Sequence, residues 1–122
     1  MLRENKVWGE RWLCRKDSTH STALLHIKNG FRCSRHKHQQ KFNLFVVISG
    51  LIEITTLELE GIKRTVQLTI GDTFTIPPNT FHEFRGVRDS IVLEEMYVEY
   101  CEQDIQREIL GGKVPKRGCY VQ

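Results

Sequence analysis

Gly30-Phe31-Arg32-Cys33-Ser34-Arg35-His36-Lys37-His38-Gln39-Gln40-Lys41-Phe42-Asn43-Leu44-Phe45-Val46-Val47-Ile48-Ser49-Gly50 is the stretch on which the reading of this chain turns. His36 and His38 stand two residues apart. In an extended strand, residues i and i+2 point to the same face, so both imidazoles reach one point. Imidazole suits zinc, copper, iron and nickel, which makes that point a candidate metal site. The apolar run over residues 44–48 reads as a buried strand that holds the pair rigidly, and Gly50 ends it.

A second stretch supplies a third imidazole. Residues 71–86 read Gly-Asp-Thr-Phe-Thr-Ile-Pro-Pro-Asn-Thr-Phe-His-Glu-Phe-Arg-Gly. A short strand is expected over residues 72–76, stopped by Pro77-Pro78. His82 follows the Pro-Pro-Asn turn on the next strand. His36, His38 and His82 then come from two separated stretches and supply the three protein ligands that a catalytic divalent metal needs, with a position left open.

Together the two stretches resemble the two sequence motifs of the cupin superfamily. Gly30, His36, His38 and Gly50 fit the first at full spacing, with Asn43 where the family usually has Glu. Gly71, Pro77 and His82 fit the second, with Asn79 in place of a Gly. Asn tolerates the left-handed backbone conformation better than other non-glycine residues, so that second exchange is mild. Trp8-Gly9 ahead of the first motif resembles the start of type II mannose-6-phosphate isomerase-like cupins. The segment Asp104-Ile105-Gln106-Arg107 resembles the one that follows their last strand. The resemblance runs from Trp8 to about Gly112. It implies an all-β single domain, a double-stranded β-helix or jelly-roll barrel, usually dimeric. It also implies a divalent metal that polarises a sugar carbonyl and hydroxyl while a base moves a proton between two carbons. His38 and His82 fall on the family's ligand positions, and His36 falls where these isomerases often carry Gln. Lys41 falls where they carry an Arg.

The flanking sequence agrees with an all-β chain. Residues 7–13 are expected to form a short strand, with Trp8 and Trp12 covering one end of the barrel. Residues 22–28 alternate and turn at Asn29-Gly30, a strong turn or hairpin dipeptide. Residues 51–57 and 62–70 alternate around a turn at Glu60-Gly61. Residues 90–100 are expected to form a long last strand, with Ile91, Leu93, Glu95, Tyr97 and Glu99 on one face and Val92, Glu94, Met96, Val98 and Tyr100 on the other. Many short strands with closely spaced turns indicate a sandwich or closed barrel. Residues 102–110 alone read as a short C-terminal helix, with Ile105, Ile109 and Leu110 apolar and Gly111-Gly112 as its stop. The expected division is a barrel domain over 1–112 and a tail over 113–122.

The whole-chain features exclude several classes. The 122 residues suffice for one domain with a core. No apolar run approaches the ~20 residues of a membrane span. The first residues carry no apolar signal core, so a cytoplasmic protein is expected. A net charge of +3, from 18 basic and 15 acidic residues, is too balanced to indicate nucleic-acid binding. Cys14, Cys33, Cys101 and Cys119 form no Cys-x-x-Cys pair and are expected as reduced thiols. Cys33 is read as a small apolar filler close to the histidines.

The candidate metal ligands are His36, His38, His82 and Asn43, for zinc, manganese, iron, cobalt or nickel. Asn43 offers an amide oxygen without charge, so the site lacks the two-His-one-carboxylate set of many non-haem iron oxygenases. A three-His metal keeps its double charge and favours anionic ligands. Lys41 and Arg107 are candidates to assist anion binding. Glu95 is the candidate base, provided that its strand face points inward. Glu83 lies on the opposite parity from His82, and His20 and His26 belong to neither motif. Three functions follow: a metal-dependent isomerase or binder of a sugar or sugar phosphate, a non-catalytic carbohydrate-sensing barrel, and a three-His iron dioxygenase. A homodimer is expected through extension of an edge strand.

Overall fold

The computed structural model describes residues 1–98 and 106–114. Its elements are β1 (Leu2–Lys6), β2 (Gly9–Lys16), β3 (His20–Ile27), β4 (Phe42–Ser49), β5 (Leu51–Leu57), a 3-10 turn (Leu59–Gly61), β6 (Lys63–Thr69), β7 (Thr73–Ile76), β8 (Phe81–Gly86) and β9 (Ser90–Tyr97). Among the described residues they form a six-stranded sheet, in the order β1-β2-β3-β9-β4-β7, and a three-stranded sheet, β6-β5-β8. Every named strand pair is antiparallel. From β4 onward the chain passes repeatedly between the sheets, as a jelly roll does, and the expected all-β class is met.

Alternation in the sequence is what builds the sandwich. β3 and β5 bury every second residue: Ala23, Leu25 and Ile27 on one, Ile52 and Ile54 on the other. Phe45 and Val47 of β4, Ile76 of β7, Phe84 of β8 and Val92 of β9 meet them between the sheets. Trp8 enters the same core edge-on to Phe84, with ring centroids 4.9 Å apart. Such a pair adds about 0.5–1.5 kcal/mol beyond its buried area. Gly50 makes the crossing from β4 to β5 at φ +94°, where a Cβ would lie 2.2 Å from Ser90 Oγ. Neither the backbone angle nor the space admits a side chain there.

The outer faces of the two sheets differ in kind. On the three-stranded sheet the outward positions at its centre are polar: Arg85 and Gln67 both bond Glu53, at 3.1 Å each, and Thr55 meets Thr65 at 3.0 Å. On the six-stranded sheet Trp12, Leu24, Leu93 and Val46 stand side by side across four strands. Leu44 and Ile91 flank that row, and Ile48 is 46% exposed. A sheet with a solvated face normally alternates apolar-in and polar-out. The smaller sheet obeys that rule and the larger one does not.

Several expectations change. The apolar run over residues 44–48 is not buried on both sides: only Phe45 and Val47 face the core, and Leu44, Val46 and Ile48 belong to the outer apolar face. Residues 7–13 do not form one strand, because the chain turns at Val7-Trp8 between β1 and β2. Asn29-Gly30 opens a long connection rather than a hairpin. That connection runs beside β8, with isolated bridges Asn29–Gly86, Arg32–Arg85 and His36–His82. The expected C-terminal helix is absent from its described part, residues 106–110. Ile109 and Leu110 there are 83% and 80% exposed. A helix of two or three turns needs its apolar side packed to persist, and these side chains meet no core. Residues 102–105 of that expected helix, and 115–122 of the expected tail, lie outside the described residues. No described helix is long and apolar enough to cross a membrane.

Candidate metal centre

His36 and His38 sit in the extended connection before β4 rather than on a regular strand, and a local hydrogen-bond pattern fixes them. His36 and His82 exchange both backbone bonds, His36 N to His82 O at 3.1 Å and His82 N to His36 O at 2.8 Å. This is a hydrogen-bonded antiparallel pair in isolation. The turn before β8 is tied to the same connection, since Asn79 N donates to His38 O at 2.7 Å. Asn79 holds φ +61°, the left-handed conformation anticipated for this Asn in place of Gly.

The three rings converge. Their centroids are 4.5 Å (His36–His82), 5.2 Å (His36–His38) and 5.8 Å (His38–His82) apart. One ligand atom from each lies within 4.8 Å of the others. Two tautomers are dictated by carbonyls, which can only accept. His36 Nδ1 donates to Ser34 O at 2.8 Å, and His82 Nδ1 donates to Thr80 O at 2.9 Å. Each Nε2 therefore carries a lone pair, the form that binds a metal, and the backbone bond sets the ring's orientation.

Burial favours the neutral form of His38 and His82. It pushes the His82 imidazole down to about 4, with only the Thr80 carbonyl opposing. His38 is lowered chiefly by burial, then by the His36 charge and the Lys41 ammonium. Among the described residues, the buried side-chain polar atoms without a hydrogen-bond partner are His38 Nε2, His82 Nε2 and Asn43 Oδ1. Each such atom costs about 1–3 kcal/mol. All three are lone-pair donors and belong to the residues expected to ligate. A divalent cation held by the three converging imidazoles would satisfy both orphaned nitrogens, so the donor set fits a metal of the zinc, manganese, iron, cobalt or nickel type.

A cavity of about 360 Å³ opens beside the histidines. His36, His38, Cys33, Met96, Arg11 and Glu94 are among the residues that line it. Glu94 is a buried carboxylate at 8% exposure. Its Oε2 accepts from Asn43 Nδ2 at 3.1 Å, and its Oε1 lies 3.8 Å from Arg11 Nε. Burial raises its pKa, against the pull of Arg11 and of the Asn43 amide. Cys33 is buried, accepts from the Phe84 N–H at 3.2 Å, and has its thiol pushed up to about 11 by burial. It is a neutral filler in the cavity wall, as expected.

The other candidates are placed differently. Lys41 is half-buried and close enough for its charge to bear on His38. Glu95 does not meet the condition set for it. Its face of β9 points outward, where it pairs with His20. Arg107 is exposed, in a segment without regular structure. Arg35 pairs with Glu83 at 2.9 Å. Sequence reasoning passed over Glu94 and Arg11. The available signal was parity, since Glu94 shares a face with Val92, which is fully buried.

The fold has many solved counterparts. KdgF from Halomonas sp. aligns at TM-score 0.67 and 20% identity, covering 82% of this chain and 90% of that one. The oxalate decarboxylase of Lactobacillus farciminis, solved as a formate complex, aligns at TM-score 0.69 and 22% identity, covering 80% of this chain but 31% of that longer one. The oxalate decarboxylase of Bacillus subtilis, described with Mn(II) centres, aligns at TM-score 0.60 and 22% identity, covering 68% of this chain and 22% of its own. At these identities the likeness concerns the fold. A search of curated proteins gave no match. The cupin domain itself matches residues 23–94, a span that holds both histidine stretches and every core strand from β3 to Glu94. With more than half of its length matched, the chain belongs to the cupin domain family.

Proposed function

We propose that this cupin is a divalent-metal protein that binds a small, oxygen-rich anion of the sugar-phosphate class and interconverts its aldose and ketose forms. The observation that carries the metal is the convergence of His36, His38 and His82, with His38 Nε2 and His82 Nε2 buried and partnerless. A divalent cation there supplies Lewis-acid polarisation of a carbonyl or hydroxyl oxygen. His36, His38 and His82 hold it as neutral imidazoles. Glu94, in the cavity wall with a raised pKa, takes the proton-moving role that sequence reasoning gave to Glu95. Lys41, beside His38, provides positive charge for the anion. The sugar-phosphate class rests on the resemblance to mannose-6-phosphate isomerase-like cupins.

A second reading is favoured by one observation. Asn43 is neutral, and its amide is tied to the carboxylate that would act as base. A sensing cupin would bind the sugar phosphate without turning it over. The test starts with metal content of tag-free protein beside His38→Ala, then isomerisation of a panel of aldose phosphates with and without Glu94→Gln. Stoichiometric metal, turnover, and turnover lost in Glu94→Gln support the isomerase. Ligand binding without turnover supports the sensor. Iron with oxygen uptake supports a dioxygenase, and no metal after incubation with each divalent ion overturns the reading.

The homodimer belongs to the same proposal, through a different surface from the edge strand first expected. The row Trp12, Leu24, Leu93 and Val46 is built of uncharged side chains and spans four strands, with the Arg3 guanidinium stacked on Trp12 at one end. Two such faces can stack as sheets do, about 10 Å apart.

A further inference from the structure

We infer that Glu94 is a positioning residue for the metal centre: it holds the Asn43 amide so that Oδ1, and not the NH2 group, is presented as the fourth ligand. The inference rests on the metal reading above and extends it to a residue outside the ligand set.

An amide side chain has two ends of nearly equal shape and opposite chemistry, and only its partners decide which end faces where. At Asn43 the decision is local. Asn43 Nδ2 donates to Glu94 Oε2 at 3.1 Å, so the NH2 end of the amide faces Glu94. Oδ1 is thereby turned the other way. It is buried on a side chain 1% exposed, and it has no partner. Asn43 shares the inward face of β4 with Phe45, whose ring centroid lies 6.5 Å from that of His82. Turned over, the amide would set its oxygen against Glu94 and present N–H groups, which cannot bind a cation, where Oδ1 now stands. Glu94 makes that arrangement costly.

Glu94 is itself held. Arg11 Nε lies 3.8 Å from its Oε1, and Arg11 Nη1 bonds Glu4 at 3.0 Å. The chain of contacts runs Glu4, Arg11, Glu94, Asn43, across β1, β2, β9 and β4. It places a carboxyl group one hydrogen bond away from the ligand position that lacks one. A carboxylate outside the coordination sphere that orients an inner ligand typically governs metal affinity by 10–100-fold.

The probe is Co(II), read by its visible absorption, with wild type beside Asn43→Ala, Glu94→Leu, Glu94→Gln and the double variant Asn43→Ala/Glu94→Leu. Glu94→Leu is expected to weaken Co(II) binding by about 10–100-fold and to give the altered spectrum of Asn43→Ala. The double variant should bind no more weakly than Asn43→Ala alone, because both act through one ligand. Glu94→Gln keeps an acceptor for Nδ2 but can also turn its own NH2 toward Asn43, so its Co(II) affinity should lie between those of wild type and Glu94→Leu. Should Glu94→Leu fail to fold, wild-type protein answers by NMR: the Asn43 NH2 signals should be slow to exchange and should shift on titration with Zn(II). A Glu94→Leu variant with wild-type spectrum and affinity, additive losses in the double variant, or Asn43 NH2 signals indifferent to Zn(II) would each overturn the inference while leaving a three-histidine metal site intact. A wild-type protein that binds neither Co(II) nor Zn(II) would overturn the metal reading and this inference with it.

Discussion

Acidifying the metal-free protein from pH 7 to 4.5 should destabilise it through His82 before its surface carboxylates matter. In the unfolded chain this imidazole takes a proton near its ordinary value of 6.5, whereas in the folded protein burial holds it down to about 4. Between those values the unfolded state binds more protons, so stability falls as pH falls. The contribution is complete above 6.5 and is lost progressively down to about 4. At about 1.4 kcal/mol per pKa unit, the whole interval corresponds to about 3 kcal/mol, of which about 2.5 kcal/mol falls between pH 7 and 4.5. That is a large share of the ~5–15 kcal/mol that holds a domain together. Glu94 acts with the opposite sign, because its raised pKa favours the folded state as pH falls. Glu4, Asp17 and Glu83, whose pKa values are lowered, titrate at or below the end of the window. The difference between wild type and His82→Gln therefore isolates the imidazole. The assay is urea unfolding in the presence of a chelator, followed by tryptophan fluorescence, since Trp8 lies in the core. Wild type should lose at least ~2 kcal/mol more than His82→Gln over the window. Equal losses in the two proteins would refute the claim that a buried, neutral His82 sets the acid limit.

Other predictions concern the metal, the core, a turn and the outer face. Zn(II) at about 100 times its dissociation constant should add about 2.7 kcal/mol to stability at pH 7, measured as a rise in Tm, and His82→Ala should abolish that rise. Phe45→Ala should cost about 3–5 kcal/mol in urea denaturation, because the ring is 1% exposed between the two sheets. Asn79→Gly should leave stability unchanged or raise it slightly, whereas Asn79→Val should cost about 1–2 kcal/mol, because φ is +61° there. Leu93→Asp, at the centre of the outer apolar row, should convert a dimer to a monomer in analytical ultracentrifugation with little change in monomer fold. A wild-type protein that sediments as a monomer at micromolar concentration would count against that face as an interface.

The position of Glu94 also bears on how such sites can differ in donor chemistry. Where the family pattern puts a carboxylate in the ligand position, this chain has an amide, and a carboxylate stands behind it on the neighbouring strand. Asn43 and Met96 are register partners, so Glu94 is two residues from the position directly opposite and on the same inward face. A carboxyl group therefore stands one hydrogen bond from the ligand position even though that position does not carry one.

Much of this was legible in the sequence alone. Period-two alternation over residues 22–28 and 51–57 fixed two strands and their core faces, and Pro77-Pro78-Asn79 fixed a turn with a left-handed residue. The spacing of His36, His38 and His82 picked out the histidines that the structure brings together. Each of these is a short-range property, set by side-chain parity or by the backbone preferences of one residue. Tertiary structure decided the rest. On β9 both parities carry apolar side chains, so alternation could not say whether Glu94 or Glu95 faces inward; packing against the other sheet did. The run over residues 44–48 looks buried because apolar composition is the same on a core face and on an apolar outer face. The orientation of the Asn43 amide depends on a carboxylate from a distant part of the chain, and no local pattern encodes it. Sequence fixes which side chains share a face, whereas only the packing of one sheet on the other decides which face becomes the interior.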